Sequence, residues 1–216
     1  MLQVDGIQVS IKGFPILRGI SLEIPSARVV GLVGRNGAGK TTTLKSIIGI
    51  LPVAWGTIQL DGTNLLRVPA HQRARLGIGY MPEDRRLIGS LTVEENILLP
   101  SWASGLANGR ERLAYIYALM PDVKELTGRK ASQLSGGQQK MAALARALMS
   151  GTKHLLLDEP FEGLSPGLGE KIGGIVQELQ RQGLSVLIAE SDLKRISFAD
   201  TIYTIERGEI IQAAAG

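Results

Sequence analysis

The sequence has no cysteine, so nothing in it needs an oxidising compartment. Its beginning lacks the basic, apolar and small-residue order of a secretory signal, and a cytosolic location is the expectation. Aromatic residues make up 4% of the chain, which leaves little surface for stacking on nucleic-acid bases. The longest apolar stretch, around Ile47 to Trp55, is interrupted by Gly49 and Pro52 and is far short of the ~20 residues that span a bilayer. Any link to a membrane is expected to run through a partner.

At 216 residues the chain has room for one core and a small inserted subdomain, and not for two full domains. Hydrophobic residues account for 44% and charged residues for 20%, and no low-complexity tract interrupts them, so a compact fold is expected. The net charge of +4 and a pI near 9.5 suit a phosphate-backbone partner. The arginines and lysines, however, are dispersed among acids and form no patch. No nucleic acid is expected.

The opening segment alternates apolar and polar residues with glycine punctuation, the pattern of half-buried antiparallel strands. Val29 to Val33 is a continuous apolar run, followed by a glycine-rich loop and TTTLKSIIGI, the order of a strand, loop and helix in a buried parallel sheet. Strands are expected at Gly56 to Asp61 and Gly77 to Met81. Thr92 to about Leu126 reads as helical, broken at Pro100, at Gly105 to Gly109 and at Pro121. A helix from Ser135 to Met149, a strand from His154 to Leu157, a helix from Lys171 to Gln182 and a strand from Ser185 to Ala189 follow. Thr201 to Ile211 closes the sheet, and the core is α/β throughout.

Gly34, Arg35, Asn36, Gly37, Ala38, Gly39, Lys40 and Thr41 fit the phosphate loop G-x-x-x-x-G-K-S/T, between a strand and a helix as its mechanism requires. The glycines let backbone N–H groups turn inward around phosphate, and the helix adds its positive end. Lys40 is expected on the β- and γ-phosphates and Thr41 on magnesium, with Thr42 next in the nucleotide-binding run. A plain glycine-rich turn would have to match four fixed positions by coincidence.

The run LLLDEP delivers Asp158 and Glu159 to the carboxyl end of a strand, where open α/β sheets place their chemistry. Asp158 would hold the magnesium shell, and Glu159 would take the proton of the attacking water. Taken alone, such a pair is more often a solvated strand end. Leu134 to Lys140, LSGGQQK, starts a helix with Ser135 at a natural N-cap and Gly136 and Gly137 open to close approach. By physics it is a second anion site, ending in Gln138, or an ordinary capped helix.

Together these three motifs resemble the ATP-binding subunits of ABC transporters, over essentially the whole chain: GRNGAGKTT resembles their Walker A motif, LSGGQQK their signature and HLLLDEP their Walker B. The resemblance implies a P-loop NTPase (RecA-like) core with an N-terminal antiparallel β-subdomain and an inserted α-helical subdomain, about residues 82–129 within a single domain. It implies an ATPase using ATP and Mg2+ that works as a homodimer, or as a heterodimer with a paralogous subunit. In such a dimer the signature of one protomer closes over the γ-phosphate of the other. It implies integral membrane permease subunits as partners, indirectly a solute-binding protein, and a peripheral place on the cytoplasmic face of the membrane. The segments MPEDRRLIGSLTVEENILL, MPDVKEL and DEPFEGLSP look most like subunits of branched-chain amino acid importers and their amide and urea relatives.

Four positions depart from the family pattern. Glu83 stands where most members have a glutamine that reaches magnesium; a carboxylate still ligates that metal, and its charge near the γ-phosphate is expected to weaken ATP binding unless Arg85 or Arg86 offsets it. The switch histidine is replaced by Ser191, or by Glu190 on a different count, since His71 and His154 lie elsewhere and His154 reads as structural. Ser165 replaces the common aspartate of the loop that crosses the dimer interface. Ile11 occupies the place of the adenine-stacking aromatic, with Phe14 three residues late. Leu87, Ile88, Leu91 and Trp102 are candidates for a groove that receives the permease, or for subdomain core. Two competing readings are a soluble ABC-type ATPase acting outside transport and a module that traps ATP without turnover.

Overall fold

The computed structural model describes residues 1–215. Strands β1 (Leu2–Ile11) and β2 (Phe14–Ile24) form an antiparallel pair, and β3 (Val29–Val33) leads through the glycine loop into α1 (Lys40–Ile47). Next come β4 (Trp55–Leu60), β5 (Thr63–Asn64), the short α2 (Ala70–Arg73) and β6 (Ile78–Met81). Helices α3 (Val93–Ser104), α4 (Gly109–Leu119) and α5 (Pro121–Lys124) precede the long α6 (Gly136–Ser150). The chain ends with β7 (His154–Asp158), α7 (Pro166–Arg181), β8 (Ser185–Glu190), β9 (Thr201–Glu206) and β10 (Glu209–Ala215).

Two sheets result, one in the order β2-β1-β4-β5 and one in the order β10-β9-β3-β8-β7-β6. The first is antiparallel, and β1 alternates buried and exposed residues as a one-sided strand should. In the second, β9, β3, β8, β7 and β6 run parallel, with β10 antiparallel on the edge. Strands β7 and β8 are buried along their full length, so apolar runs such as LLL and VLI fit only a sheet covered on both faces. The pairings Val33 with Glu190 and Asp158 with Ala189 align the strand ends. Gly34, Glu83, Glu159 and Ser191 therefore leave the sheet at one carboxyl edge, where α/β folds bind ligands.

Helix α6 has a capping box: the Ser135 hydroxyl accepts from the Gln138 N–H, and the Gln138 side chain accepts from the Ser135 N–H, satisfying two free donors of the first turn. Its buried face, including Leu144, Ala147 and Leu148, joins Val93 and Ile97 of α3 in one core. The carboxyl end of α1 is closed by buried Arg73, which donates to the carbonyls of Ser46 and Ile47 at 3.1 and 2.5 Å.

Three boundaries differ from expectation. Pro100 lies inside α3 and does not break it. The Thr92–Glu95 capping box and the buried residues Val93, Asn96 and Ile97 outweigh the roughly 3 kcal/mol that an interior proline costs. Helix α7 begins at Pro166, ahead of Lys171, because Ser165 takes the N-cap place and proline suits the first helical position. The closing segment is a hairpin, β9 and β10 turning at Arg207 and Gly208, and not one strand.

Candidate ATP site

The loop between β3 and α1 is shaped by glycines. Gly39 caps α1 at φ 117°, a left-handed value that side chains resist. A Cβ on Gly34 would stand 2.3 Å from the Ile205 carbonyl oxygen, so only glycine lets the loop lie against β9. Lys40 folds back over this loop, 5% exposed. Its ammonium donates to the Gly34 carbonyl at 2.7 Å and the Ser191 hydroxyl at 3.1 Å, and pairs with Glu159 Oε1 at 2.9 Å.

Asp158 is fully buried at the end of β7. It accepts from the Thr41 hydroxyl at 3.0 Å and the Tyr80 hydroxyl at 3.1 Å. Burial raises its pKa, and these two hydroxyls oppose that rise. Burial and the charge of Asp158 push the Tyr80 phenol up in turn. Tyr80 escaped the sequence reading because only the β6–β7 register brings it to Asp158.

Glu159 adopts φ 48°, a left-handed conformation that costs a non-glycine residue about 1–2 kcal/mol. The Ser191 hydroxyl donates to its Oε1 at 2.5 Å and the Ser191 N–H to its Oε2 at 3.3 Å. Burial favours its neutral form, but the hydrogen bonds from Ser191 and the Lys40 ammonium hold its pKa below the usual carboxylate value. Glu190 is the counterpart: burial, first, and the charge of neighbouring Glu159 raise its pKa to about 8. Glu190 Oε1 accepts from the Phe161 N–H at 2.9 Å, Oε2 has no hydrogen-bond partner, and Arg195 stands 3.7 Å away. The surroundings thus push the two adjacent carboxyls in opposite directions, Glu159 down and Glu190 up.

Asn36, Gly37, Gly39, Lys40, Thr41, Thr42, Glu83 and Glu159 line one cleft of about 420 Å³, with Ile11, Ile16 and Glu162. Phe14 is 72% exposed and does not line it, so the apolar wall beside the phosphate loop is Ile11 and Ile16. Ser135, Gly136, Gly137 and Gln138 are not among the residues of this cleft. Neither arginine pairs with Glu83: Arg86 pairs with Asp84, and Arg85 donates to Gln139 Oε1 at 2.9 Å, so the condition that would offset the charge of Glu83 is not met.

Among the described residues no three His, Cys, Asp or Glu side chains converge on a metal-holding point. Thr41, buried Asp158 and exposed Glu83 nevertheless offer one hydroxyl and two carboxylates, the hard oxygen donors that magnesium takes together with substrate phosphates. His154 is 3% exposed, its Nδ1 has no partner, and burial lowers its pKa to about 4. It sits at the opposite end of β7 from the site, a neutral residue of the sheet.

Residues 17–162 match the family model described as ABC transporter. The chain is 35% identical to the high-affinity branched-chain amino acid transport ATP-binding protein BraG of Pseudomonas aeruginosa, covering 100% of this chain and 93% of that protein. It is 32% identical to the lipopolysaccharide export system ATP-binding protein LptB of Escherichia coli, covering 97% of this chain and 88% of LptB. Among solved structures, the ADP conformation of the ATP-binding cassette MJ1267 is similar with a TM-score of 0.88 and 28% identity, covering 100% of this chain and 91% of that one. A dimeric post-hydrolysis state of the cassette MJ0796 bound to ADP and Pi is similar with a TM-score of 0.90 and 25% identity, covering 100% and 98%. With its phosphate loop, acidic strand end and signature helix in place, this chain belongs to the ABC transporter family and is an ATP-binding, ATP-hydrolysing cassette.

Proposed function

We propose that this chain closes with a second copy, or with a paralogous cassette, over two ATP molecules and uses their hydrolysis to drive permease subunits that move a solute. The observation that carries this reading is the division of the anion-binding parts. Lys40, Thr41, Asp158, Glu159 and Ser191 meet at one sheet edge, whereas the capped N-terminus of α6 lies outside that cleft. The signature completes a site only in a neighbour's chain.

Within this reading Lys40 and the loop N–H groups from Gly34 to Thr42 bind the phosphates. Thr41, Asp158 and Glu83 hold Mg2+, which when bound neutralises developing phosphate charge. Glu159 accepts the proton of the attacking water, and Ser191 orients Glu159 through two hydrogen bonds. Ser135, Gly136, Gly137 and Gln138 face the partner's γ-phosphate. Residues 82–129 form the helical subdomain that meets the permease, where Ile88 and Trp102 are 45% and 57% exposed, and Leu87 packs on the core.

No helix of the described residues is long and apolar enough to cross a membrane, which fits a peripheral subunit on the cytoplasmic face. The resemblance of MPEDRRLIGSLTVEENILL and the likeness to BraG favour branched-chain amino acids or related amides and urea as the solute, reached through a solute-binding protein. LptB, at 32% identity, keeps lipopolysaccharide export as the second reading. Mixing two inactive variants tests the composite site: Lys40→Ala and Ser135→Arg chains each lack ATPase activity, and their mixture regains part of it through one intact site per mixed dimer. A mixture as inactive as its components contradicts the shared site.

A further inference from the structure

Lys140, in the second turn of α6, is 2% exposed, which is rare for a lysine. Among the described residues it forms no ion pair within 4.0 Å. Its ammonium instead donates to two backbone carbonyls, of Glu159 and of Glu162, each at 2.6 Å. Burial lowers its pKa, and the nearby Glu162, Glu190 and Glu159 oppose that shift. A buried cation satisfied by two neutral acceptors depends on those acceptors staying in place.

The two carbonyls mark the ends of the turn that carries the proposed base. Glu159 holds a left-handed φ of 48° without being glycine, and such strain persists only where the surroundings over-determine it. Its N–H donates to the Ala189 carbonyl at 2.9 Å, and the Glu162 N–H donates to the Glu159 carbonyl at 3.3 Å. Lys140 adds a second donor to that carbonyl and fastens the far end of the turn. It also belongs to α6, the helix that Ser135 caps.

We infer that Lys140 is a positioning residue for Glu159: its ammonium holds the strained turn so that the carboxylate stays aimed at the attacking water, and it ties that aim to the signature helix. The inference rests on Glu159 as the general base. Because Lys140 does not line the nucleotide cleft, its loss should change the chemical step and leave nucleotide binding alone.

Steady-state ATPase kinetics of Lys140→Met and Lys140→Gln test this, with Glu159→Gln alongside and thermal melting to establish folding. Methionine keeps the length without a donor, and glutamine restores a donor. The expected order of kcat is wild type above Lys140→Gln above Lys140→Met, the last reduced about tenfold or more by misplacement of the base, with KM for ATP unchanged. A folded variant with wild-type kcat, or one whose kcat and KM worsen together, overturns the inference. If Lys140→Met does not fold, the kcat and KM of Lys140→Gln decide. Turnover surviving in Glu159→Gln removes the base assignment itself, whatever Lys140 does.

Discussion

Lys40 and Glu159 form an ion pair at 2.9 Å with side chains only 5% and 8% exposed. The lysine proposed to bind phosphate and the acid proposed to activate water hold each other directly. Removing one partner of a buried pair leaves an uncompensated charge, at a cost of up to about 3–5 kcal/mol. Lys40→Met should therefore destabilise the chain strongly, and much less when Glu159→Gln is already present. Urea denaturation of the two single variants and the double variant gives the coupling, expected above about 1 kcal/mol. Additive effects contradict the pairing.

The Glu159–Glu190 pair makes a pH prediction. Glu190 titrates near 8, above its ordinary value of 4.5, so between those values the folded chain keeps a proton that the unfolded chain releases. Stability from this group is complete below about 4.5 and is lost as pH rises through about 8. Glu159, Arg195 and Lys140 act on Glu190, and of these only Glu159 adds repulsion once Glu190 ionises. Turnover should fall above about pH 8, and Glu190→Gln, neutral at every pH, should flatten that limb. A pH–rate profile checks it; an unaltered alkaline limb in the variant counts against a role for the ionisation of Glu190.

The Ser191 hydroxyl donates to Glu159 Oε1 at 2.5 Å and accepts from the Lys40 ammonium at 3.1 Å. Losing a hydrogen bond to a charged group costs about 1.5–3 kcal/mol, equivalent to roughly ten- to a hundredfold in rate. Ser191→Ala should lower kcat within that range while ATP still binds. Full activity in this variant would remove Ser191 from the mechanism.

Ile11 and Ile16 supply the apolar wall of the cleft without an aromatic ring. Stacking of a base on an aromatic is worth about 1–3 kcal/mol, so Ile11→Tyr should tighten ATP binding about tenfold with kcat unchanged. Calorimetric titration of ATP into both proteins reads this directly. Equal affinities contradict the placement of adenine against Ile11.

Much of the site was legible because each motif is local. The phosphate loop, the Asp158–Glu159 strand end and the Ser135 cap are each set within a few residues, by glycine geometry, apolar runs and side-chain capping. Tyr80, Ile16 and Lys140 were not legible, because their roles depend on strand register and on helix α6 crossing the turn after β7. Ser165–Pro166 carried a local start signal for α7 that the apolar periodicity beginning later obscured. Pro100 misled because a local rule was overridden by the packing of α3 on α6. The raised pKa of Glu190 follows first from its burial at the end of β8 and then from Glu159 beside it, an arrangement set by the β7–β8 pairing.

Glu159 as the base of a site completed by a second cassette can be tested in one experiment. Phosphate release and ATP-induced dimerisation, followed together by colourimetry and light scattering, compare the natural chain with Glu159→Gln. Magnesium-dependent turnover is expected in the natural chain, and a stable ATP-bound dimer without turnover in the variant. Hydrolysis persisting in Glu159→Gln, or ATP binding with no dimer in either protein, would contradict it.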